Sequence, residues 1–156
     1  MAIVNGSCRF GLWHVHVAWQ DDLVYRVRFA REGLDGPVPE EILRYCAGRP
    51  ADLSSLRSVA TEGESTSARI YRAVHGVPCG ETVTYGEVAR MVGTVPRAVG
   101  SAMARNPTPL VVPCHRVVAK TGIGGFTPDP AIKEALLAME GRTSGPCTPE
   151  KGGVNR

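Results

Sequence analysis

The stretch Leu110-Val111-Val112-Pro113-Cys114-His115-Arg116-Val117-Val118 sets a sulfur nucleophile beside an imidazole and a guanidinium. The thiolate is the attacking form of a cysteine, and neighbouring positive charge favours it. Pro113 lacks the N–H that a strand ladder needs. The β-branched run before it is therefore predicted to be a strand, Leu110 to Val112, that ends in a turn with Cys114 held accessible there. A lone cysteine also serves as a small apolar filler. The proline, histidine and arginine around this one weigh towards a nucleophile.

The charge pattern points the same way. Of 18 basic residues against 15 acidic, five (Arg90, Arg97, Arg105, Arg116 and Lys120) lie between Val88 and Pro128, a window that holds no Asp or Glu. The positive excess is gathered around the candidate nucleophile, as a polyanionic partner requires; a chance grouping on a solvated face reads alike in sequence. The 156 residues allow one domain or two small ones, and 43% hydrophobic with 21% charged residues is ordinary for a globular chain. No apolar run approaches the roughly 18–20 residues of a membrane span, and no signal peptide opens the chain, so no membrane partner is expected. Cysteines at 8, 46, 79, 114 and 147 are odd in number and scattered. That argues against a disulfide framework and for a reducing compartment. His14 and His16 share one strand face, but no paired-cysteine spacing accompanies them, and no metal is expected.

Elements must position these groups. Phe10 to Phe29 reads as a β-hairpin turning at Gln20-Asp21-Asp22, with Trp13, Val15, Val17 and Trp19 on one face of the first strand. In the second strand, Tyr25, Val27 and Phe29 alternate with Val24, Arg26 and Arg28. Pro39 to Ala47 reads as a helix closed by Gly48, residues 51 to 64 as a connection, and Ser67 to His75 as a helix. Thr84 and Glu87 have capping-box spacing, predicting a helix over Tyr85 to Val92 that stops at Gly93. A further helix begins at Thr94 or Val95 with Pro96 and Arg97 in its first turn, and Asn106-Pro107 breaks it. The pair reads as a helix-turn-helix or as an ordinary helical hairpin. Ala98, Gly100, Ser101, Ala102 and Ala104 make the second helix small-faced, which allows close approach to a partner. Gly100 costs about 1 kcal/mol of helix propensity against Ala. Thr121 to Gly125 is a flexible loop. Asp129-Pro130 starts a last helix that runs to about Glu140 and ends at Gly141, and residues 142–156 read as a disordered tail.

Several of these pieces together resemble the O6-alkylguanine-DNA alkyltransferases, the methylated-DNA–protein-cysteine methyltransferases. The resemblance runs from about Ser67 to Gly141. Its pieces are Gly80-Glu81-Thr82-Val83-Thr84-Tyr85-Gly86-Glu87-Val88-Ala89, Arg97-Ala98-Val99-Gly100, Arg105-Asn106-Pro107, Pro113-Cys114-His115-Arg116-Val117 and Leu136-Leu137-Ala138-Met139-Glu140-Gly141. It implies an α+β fold: a small N-terminal β-hairpin-and-helix domain over 1–62, then a mainly helical, winged-helix-like helix-turn-helix domain over 63–141 that binds DNA and carries the active site. It implies irreversible, single-turnover transfer of the alkyl group from O6-alkylguanine in double-stranded DNA to Cys114, by a monomer in the cytoplasm or wherever the DNA resides, without cofactor.

The same resemblance assigns a Cys–water–His–Glu relay to Cys114, His115 and Glu140, with Asn106 bracing the turn. Neighbours on an extended chain point opposite ways, so Cys114 and His115 are expected not to touch, which fits the bridging water. Arg97 matches the arginine that fills the gap left by a flipped base. Tyr85 matches the tyrosine that rotates the phosphate and lines the pocket. Ala98, Arg105 and Arg116 join Arg97 and Tyr85 on the DNA side, and Val117, Phe126 and Thr127 join Tyr85 in the pocket. Phe126-Thr127 stands where the family often has Tyr-Ser or Tyr-Ala. Two other readings compete. A non-transferring DNA-damage binder of the same family carries another residue at the cysteine position. A thiol hydrolase needs an oxyanion hole and a separate base, and a helix-turn-helix regulator needs no reactive thiol.

Overall fold

β1 (Val4–Phe10), β2 (Trp13–Gln20) and β3 (Leu23–Ala30) form an antiparallel meander, with Val15 and Val17 of β2 and Val24 and Val27 of β3 on its buried face. The structure, a computed structural model, describes residues 2–142; the tail expected to be disordered lies outside them from residue 143. The sequence reading missed β1, whose only strong strand signal is its pairing with β2. The β2–β3 hairpin turns at Asp21 and Asp22 as expected.

The alternation in β3 is not the simple one. The register slips where Ala18 pairs with Arg26 and Trp19 with Val24, leaving Tyr25 as an extra residue. A bulge of this kind shifts the side-chain phase by one. Val24 is therefore buried with Val27 and Phe29, while Arg26 and Arg28 are exposed as the alternation predicts. A two-residue strand, β4 (Arg57–Ser58), adds in parallel to β3 within the segment read as a connection.

Helix α1 (Glu40–Cys46) follows the meander and buries Ile42, Tyr45 and Cys46. Helix α2 (Thr66–His75) is capped by the Ser65 hydroxyl, which accepts from the Ala68 N–H. The short strand β5 (Val83–Thr84) leads into α3 (Tyr85–Val92). Both halves of the capping box form there: the Thr84 N–H donates to Glu87 Oε1 at 2.8 Å, and the Glu87 N–H to Thr84 Oγ1 at 3.1 Å. Gly93 ends α3 with φ +83°, a left-handed conformation that costs a glycine nothing. Helix α4 (Pro96–Ala104) has its proline at the first position, where no N–H is needed. Val88, Val99 and Ala102 are buried where α2, α3 and α4 meet. A capping box is worth about 1 kcal/mol, whereas each fully buried valine contributes about 1.5–3 kcal/mol. Packing decides the helical layer, and the caps set its ends.

Leu110 to Val112 is not the strand that was expected. Leu110 has φ +78°, and the Val112 N–H donates to the Thr108 carbonyl at 2.9 Å in a tight turn. The left-handed Leu110 and this turn break the extended chain, and only an isolated bridge between Pro109 and Val112 remains, with Pro107, Pro109 and Pro113 flanking the stretch without N–H donors. A short strand forms after the cysteine instead: β6 (Val117–Val118), parallel to β5. Helix α5 (Pro130–Arg142) starts at Asp129, whose carboxylate accepts from the Ala131 N–H, and continues through Gly141.

Two apolar cores result. One joins the meander and α1 to Leu110, Val111, Ile132, Leu136 and Met139. The other joins α2, α3 and α4 to Val112 and Val117. The segment 110–117 contributes to both cores, and the cysteine lies between them. Cys8, Cys46 and Cys114 are free thiols. Cys79 is disulfide-bonded, contrary to the expectation from the cysteine count.

Candidate active site

Cys114 opens a one-turn 3-10 helix, Cys114–Arg116, directly after Pro113. The expectation of an extended chain here is corrected: the Arg116 N–H donates to the Pro113 carbonyl at 2.9 Å and curls the backbone. The side chain of Asn106 holds the turn from below. Its amide donates to the Val112 carbonyl at 2.9 Å, and its oxygen accepts from the Thr108 N–H at 3.0 Å. Cys114 is 8% exposed, so it is not the open thiol foreseen, although it lines a cleft. Burial pushes its thiol above the ordinary cysteine value, while the Asn106 side chain and the Lys133 ammonium pull it back down. The adjacent His115 and Arg116 are not the groups that favour its thiolate.

Both of those residues turn instead to Glu140, in the last described turn of α5. His115 Nε2 lies 2.6 Å from Glu140 Oε2, and both side chains are buried. Arg116 clamps the same carboxylate with two bonds, Nε to Oε1 at 3.0 Å and Nη2 to Oε2 at 2.9 Å, and its Nη1 donates to the Val77 carbonyl at 2.8 Å. A guanidinium spent in this way and 6% exposed does not reach DNA, so Arg116 leaves the set of expected DNA contacts. The Tyr45 hydroxyl also donates to Glu140 Oε2. Burial would raise the Glu140 carboxyl, but His115 and Arg116 outweigh it and hold the group far below the usual carboxylate range. Burial pushes the His115 imidazole down, with Glu140 pulling the other way. With Nε2 given to Glu140, His115 Nδ1 is the one buried side-chain polar atom among the described residues that has no hydrogen-bond partner.

The cleft beside Cys114 measures about 780 Å³. Tyr85, Phe126 and Thr127 line it, as expected, and so do Gly100 and Arg105 of α4 and its C-cap. Val117 does not. It is fully buried between β5 and the helical core, because its side chain follows the β5–β6 pairing and not the cleft wall. Phe126 stands edge-on to Phe29 with ring centroids 5.8 Å apart, which ties the loop before α5 to the meander. At Gly124 (φ +82°) a Cβ would lie 2.7 Å from Tyr85 Oη and 3.3 Å from Lys133 Nζ, so only glycine lets the loop come this close.

Arg97 is exposed in the first turn of α4. Ala98 is half-buried against the helical core. Arg105 is exposed and donates to the Ser101 hydroxyl.

Four contributors escaped the sequence reading. Lys133 is 1% exposed, donates to the Val117 carbonyl at 2.7 Å, and sits 5.9 Å from the centre of the Tyr85 ring. Its signal was available: Lys133, Leu136 and Glu140 recur at helix spacing, so a lysine lay on the buried stripe of α5. Tyr45 offers no such signal, because a tyrosine on an apolar helix face reads as core. Arg26 and Arg28 of β3 also line the cleft; the alternation put them opposite Val27 and Phe29, but nothing in it points to a cleft on that side.

Comparison with known proteins agrees with this geometry. Residues 65–142 match the family described as 6-O-methylguanine DNA methyltransferase, DNA binding domain. The methylated-DNA–protein-cysteine methyltransferase of Thermococcus barophilus is 40% identical over 117 residues, 74% of this chain and 66% of that protein. That of Metallosphaera sedula is 42% identical over 97 residues, 62% of each. The chain thus matches slightly less than two thirds of the length of these relatives. Among solved structures, the O6-methylguanine methyltransferase of Mycobacterium tuberculosis superposes with TM-score 0.72 at 25% identity, covering 89% of this chain and 93% of that one. The crystal structure of Mycobacterium tuberculosis OGT in complex with DNA gives 0.71 at 25% identity, covering 94% and 96%.

Proposed function

The chain belongs to the methylated-DNA–protein-cysteine methyltransferase family, and from that premise we propose that it repairs O6-alkylguanine in double-stranded DNA by taking the alkyl group onto Cys114. The observation that carries the proposal is the placing of Cys114 on a cleft floor directly before a buried His115–Glu140 pair. The reaction is a displacement at carbon. The Cys114 thiol gives its proton to His115 Nδ1 through a water, and Glu140 stabilises the imidazolium that results. The thiolate attacks the alkyl carbon, the S–C bond forms, and the C–O6 bond breaks with its electron pair left on guanine. The base takes up one proton, replacing the one the thiol released. The product thioether is stable, so each molecule acts once.

Asn106 keeps the turn in place for this attack, and Tyr85, Phe126 and Thr127 face the flipped base. A target base inside a duplex must leave the stack, at a cost of a few kcal/mol. Arg97 fills the gap, and α4 lies along the minor groove with Ala98 and Arg105. The partner is DNA bearing O6-alkylguanine, the working form is a monomer, and the setting is the compartment that holds the DNA. Cys114 itself speaks against a non-transferring damage binder. Mass spectrometry after incubation with O6-methylguanine DNA tests the reading. A one-methylene mass gain on the Cys114 peptide, absent in Cys114→Ala, is the expected result. An unmodified cysteine with retained DNA binding overturns it.

A further inference from the structure

Tyr45 belongs to α1, far from the family's matched segment, yet its hydroxyl ends on the carboxylate of the active-site pair. It is 1% exposed and the largest fully buried side chain among the described residues. Its O–H donates to Glu140 Oε2, the same oxygen that His115 Nε2 holds at 2.6 Å, and the phenol oxygen is 3.4 Å from that nitrogen. Around these two oxygens stand His115 Nε2, the Tyr45 hydroxyl, two Arg116 nitrogens and, at 3.4 Å, the Gly80 N–H. A carboxylate has about four lone-pair sites. Every donor is therefore competing for a limited store of negative charge.

We infer that Tyr45 is a positioning residue for alkyl transfer, which sets how much of the Glu140 charge reaches His115. The inference rests on the proposed reaction for its consequence, but its physical basis is the shared oxygen. A neutral O–H bonded to Oε2 draws charge away from the imidazole and keeps the carboxylate oriented on it. Charged and titratable groups on the surrounding elements are Arg116 on the cysteine turn, Lys133 on α5 and Cys46 next to Tyr45 on α1. Arg116 and Lys133 both oppose a proton on His115. The tyrosine is a neutral donor to the carboxylate, and removing its oxygen leaves all the formal charges unchanged. Its effect can thus be isolated.

The test is a pH titration of His115 by NMR in protein labelled at histidine nitrogen, which needs no DNA and no turnover. In Tyr45→Phe the ring still fills the core, one donor is lost, and the His115 midpoint should rise by about one pH unit, the worth of one hydrogen bond to a charged group. Site-specific 3-fluorotyrosine at 45, a more acidic phenol and a stronger donor, should move the midpoint the opposite way. Opposite shifts establish the role. A midpoint unmoved by both replacements, or moved in the same direction by both, overturns it. If Tyr45→Phe fails to fold, the fluorinated protein decides alone by the sign of its shift. The acid limb of benzyl transfer from free O6-benzylguanine should follow the NMR midpoint. A parent protein that transfers nothing while the midpoints shift would overturn the proposed reaction and leave standing only the coupling of Tyr45 to His115 through Glu140.

Discussion

Arg116 and Glu140 form a buried two-bond clamp, Nε to Oε1 at 3.0 Å and Nη2 to Oε2 at 2.9 Å. The arginine two residues from the nucleophile is thus a fixture of the interior. Removing one member of a buried pair typically costs about 3–5 kcal/mol, since it leaves a charge uncompensated. Arg116→Met should lower the melting temperature by roughly 10 °C for a chain of this size. The salt dependence of DNA binding by the folded fraction should stay unchanged. A shallower salt slope in gel shifts would return Arg116 to the DNA surface.

Acid should unfold the protein in two stages. His115 is held neutral below its ordinary value, so its contribution is full above about pH 6.5 and declines as the pH falls from there. Glu140 is held ionised, so its contribution is full above about pH 4.3 and declines below it. Both folded values are depressed, and both losses run in the same direction. Thermal melts from pH 8 to pH 3 should show falling stability with a steeper drop at the acid end. Glu140→Gln should be less stable at neutral pH but flatter in acid. Parallel curves for the two proteins would refute the assignment.

Lys133 lends its charge to Cys114 from beneath the cleft. Lys133→Met should slow alkylation of Cys114 by iodoacetamide about tenfold at neutral pH, the equivalent of one pKa unit. The deficit should disappear in alkaline buffer, where the thiolate forms without help. A deficit that persists at every pH would indicate a displaced loop and not a lost charge.

Arg97→Ala should impair repair of duplex DNA by tenfold or more while leaving reaction with free O6-benzylguanine close to normal, because only the duplex requires unstacking. Equal impairment on both substrates would mean that the variant is misfolded or that Arg97 has no part in extruding the base.

Titration of lesion against protein should saturate at one alkyl group per molecule. The modified protein should then melt earlier, and earlier still with benzyl than with methyl. Extra methylenes in a close-packed site cost about 1–3 kcal/mol, and Cys114 is only 8% exposed. Two transfers per molecule would rule out the single-turnover mechanism, and an unchanged melt would show that the cleft absorbs the group.

The sequence carried those parts of the fold that local chemistry determines. Thr84 and Glu87 announce a helix start within four residues, Gly93 announces its end, and Pro96 the next beginning. These signals were legible because the groups that satisfy the backbone lie a few residues away. The bulge at Tyr25 was not, since it is a relation between strands: only the β2 partner shows that Val24 and Val27 share a face. Leu110 to Val112 has strand composition, and the turn that the Val112 N–H closes onto the Thr108 carbonyl, with Leu110 left-handed, outweighs it. The same division runs through the site. Cys114 was legible from its flanking Pro113, His115 and Arg116, and the roles of His115 and Glu140 were reached through the family resemblance. The company they keep, Tyr45 from α1 and Lys133 from the far side of the loop, depends on how distant segments close on one another. Arg116 was misjudged for the same reason: whether a guanidinium faces water or a carboxylate is settled by the fold.

Anyone wishing to broaden or narrow the substrates of this protein will find that the loop before α5 offers unequal handles. At residue 124 a Cβ would sit 2.7 Å from the Tyr85 hydroxyl and 3.3 Å from the Lys133 ammonium, on a backbone that already needs φ +82°. No side chain can be added there without displacing the two groups that border the thiol, so that position is closed to variation. Phe126, Thr127 and Pro128 line the same cleft with side chains that can be exchanged one at a time. A library for larger or smaller alkyl groups should randomise those three positions and leave the glycine alone.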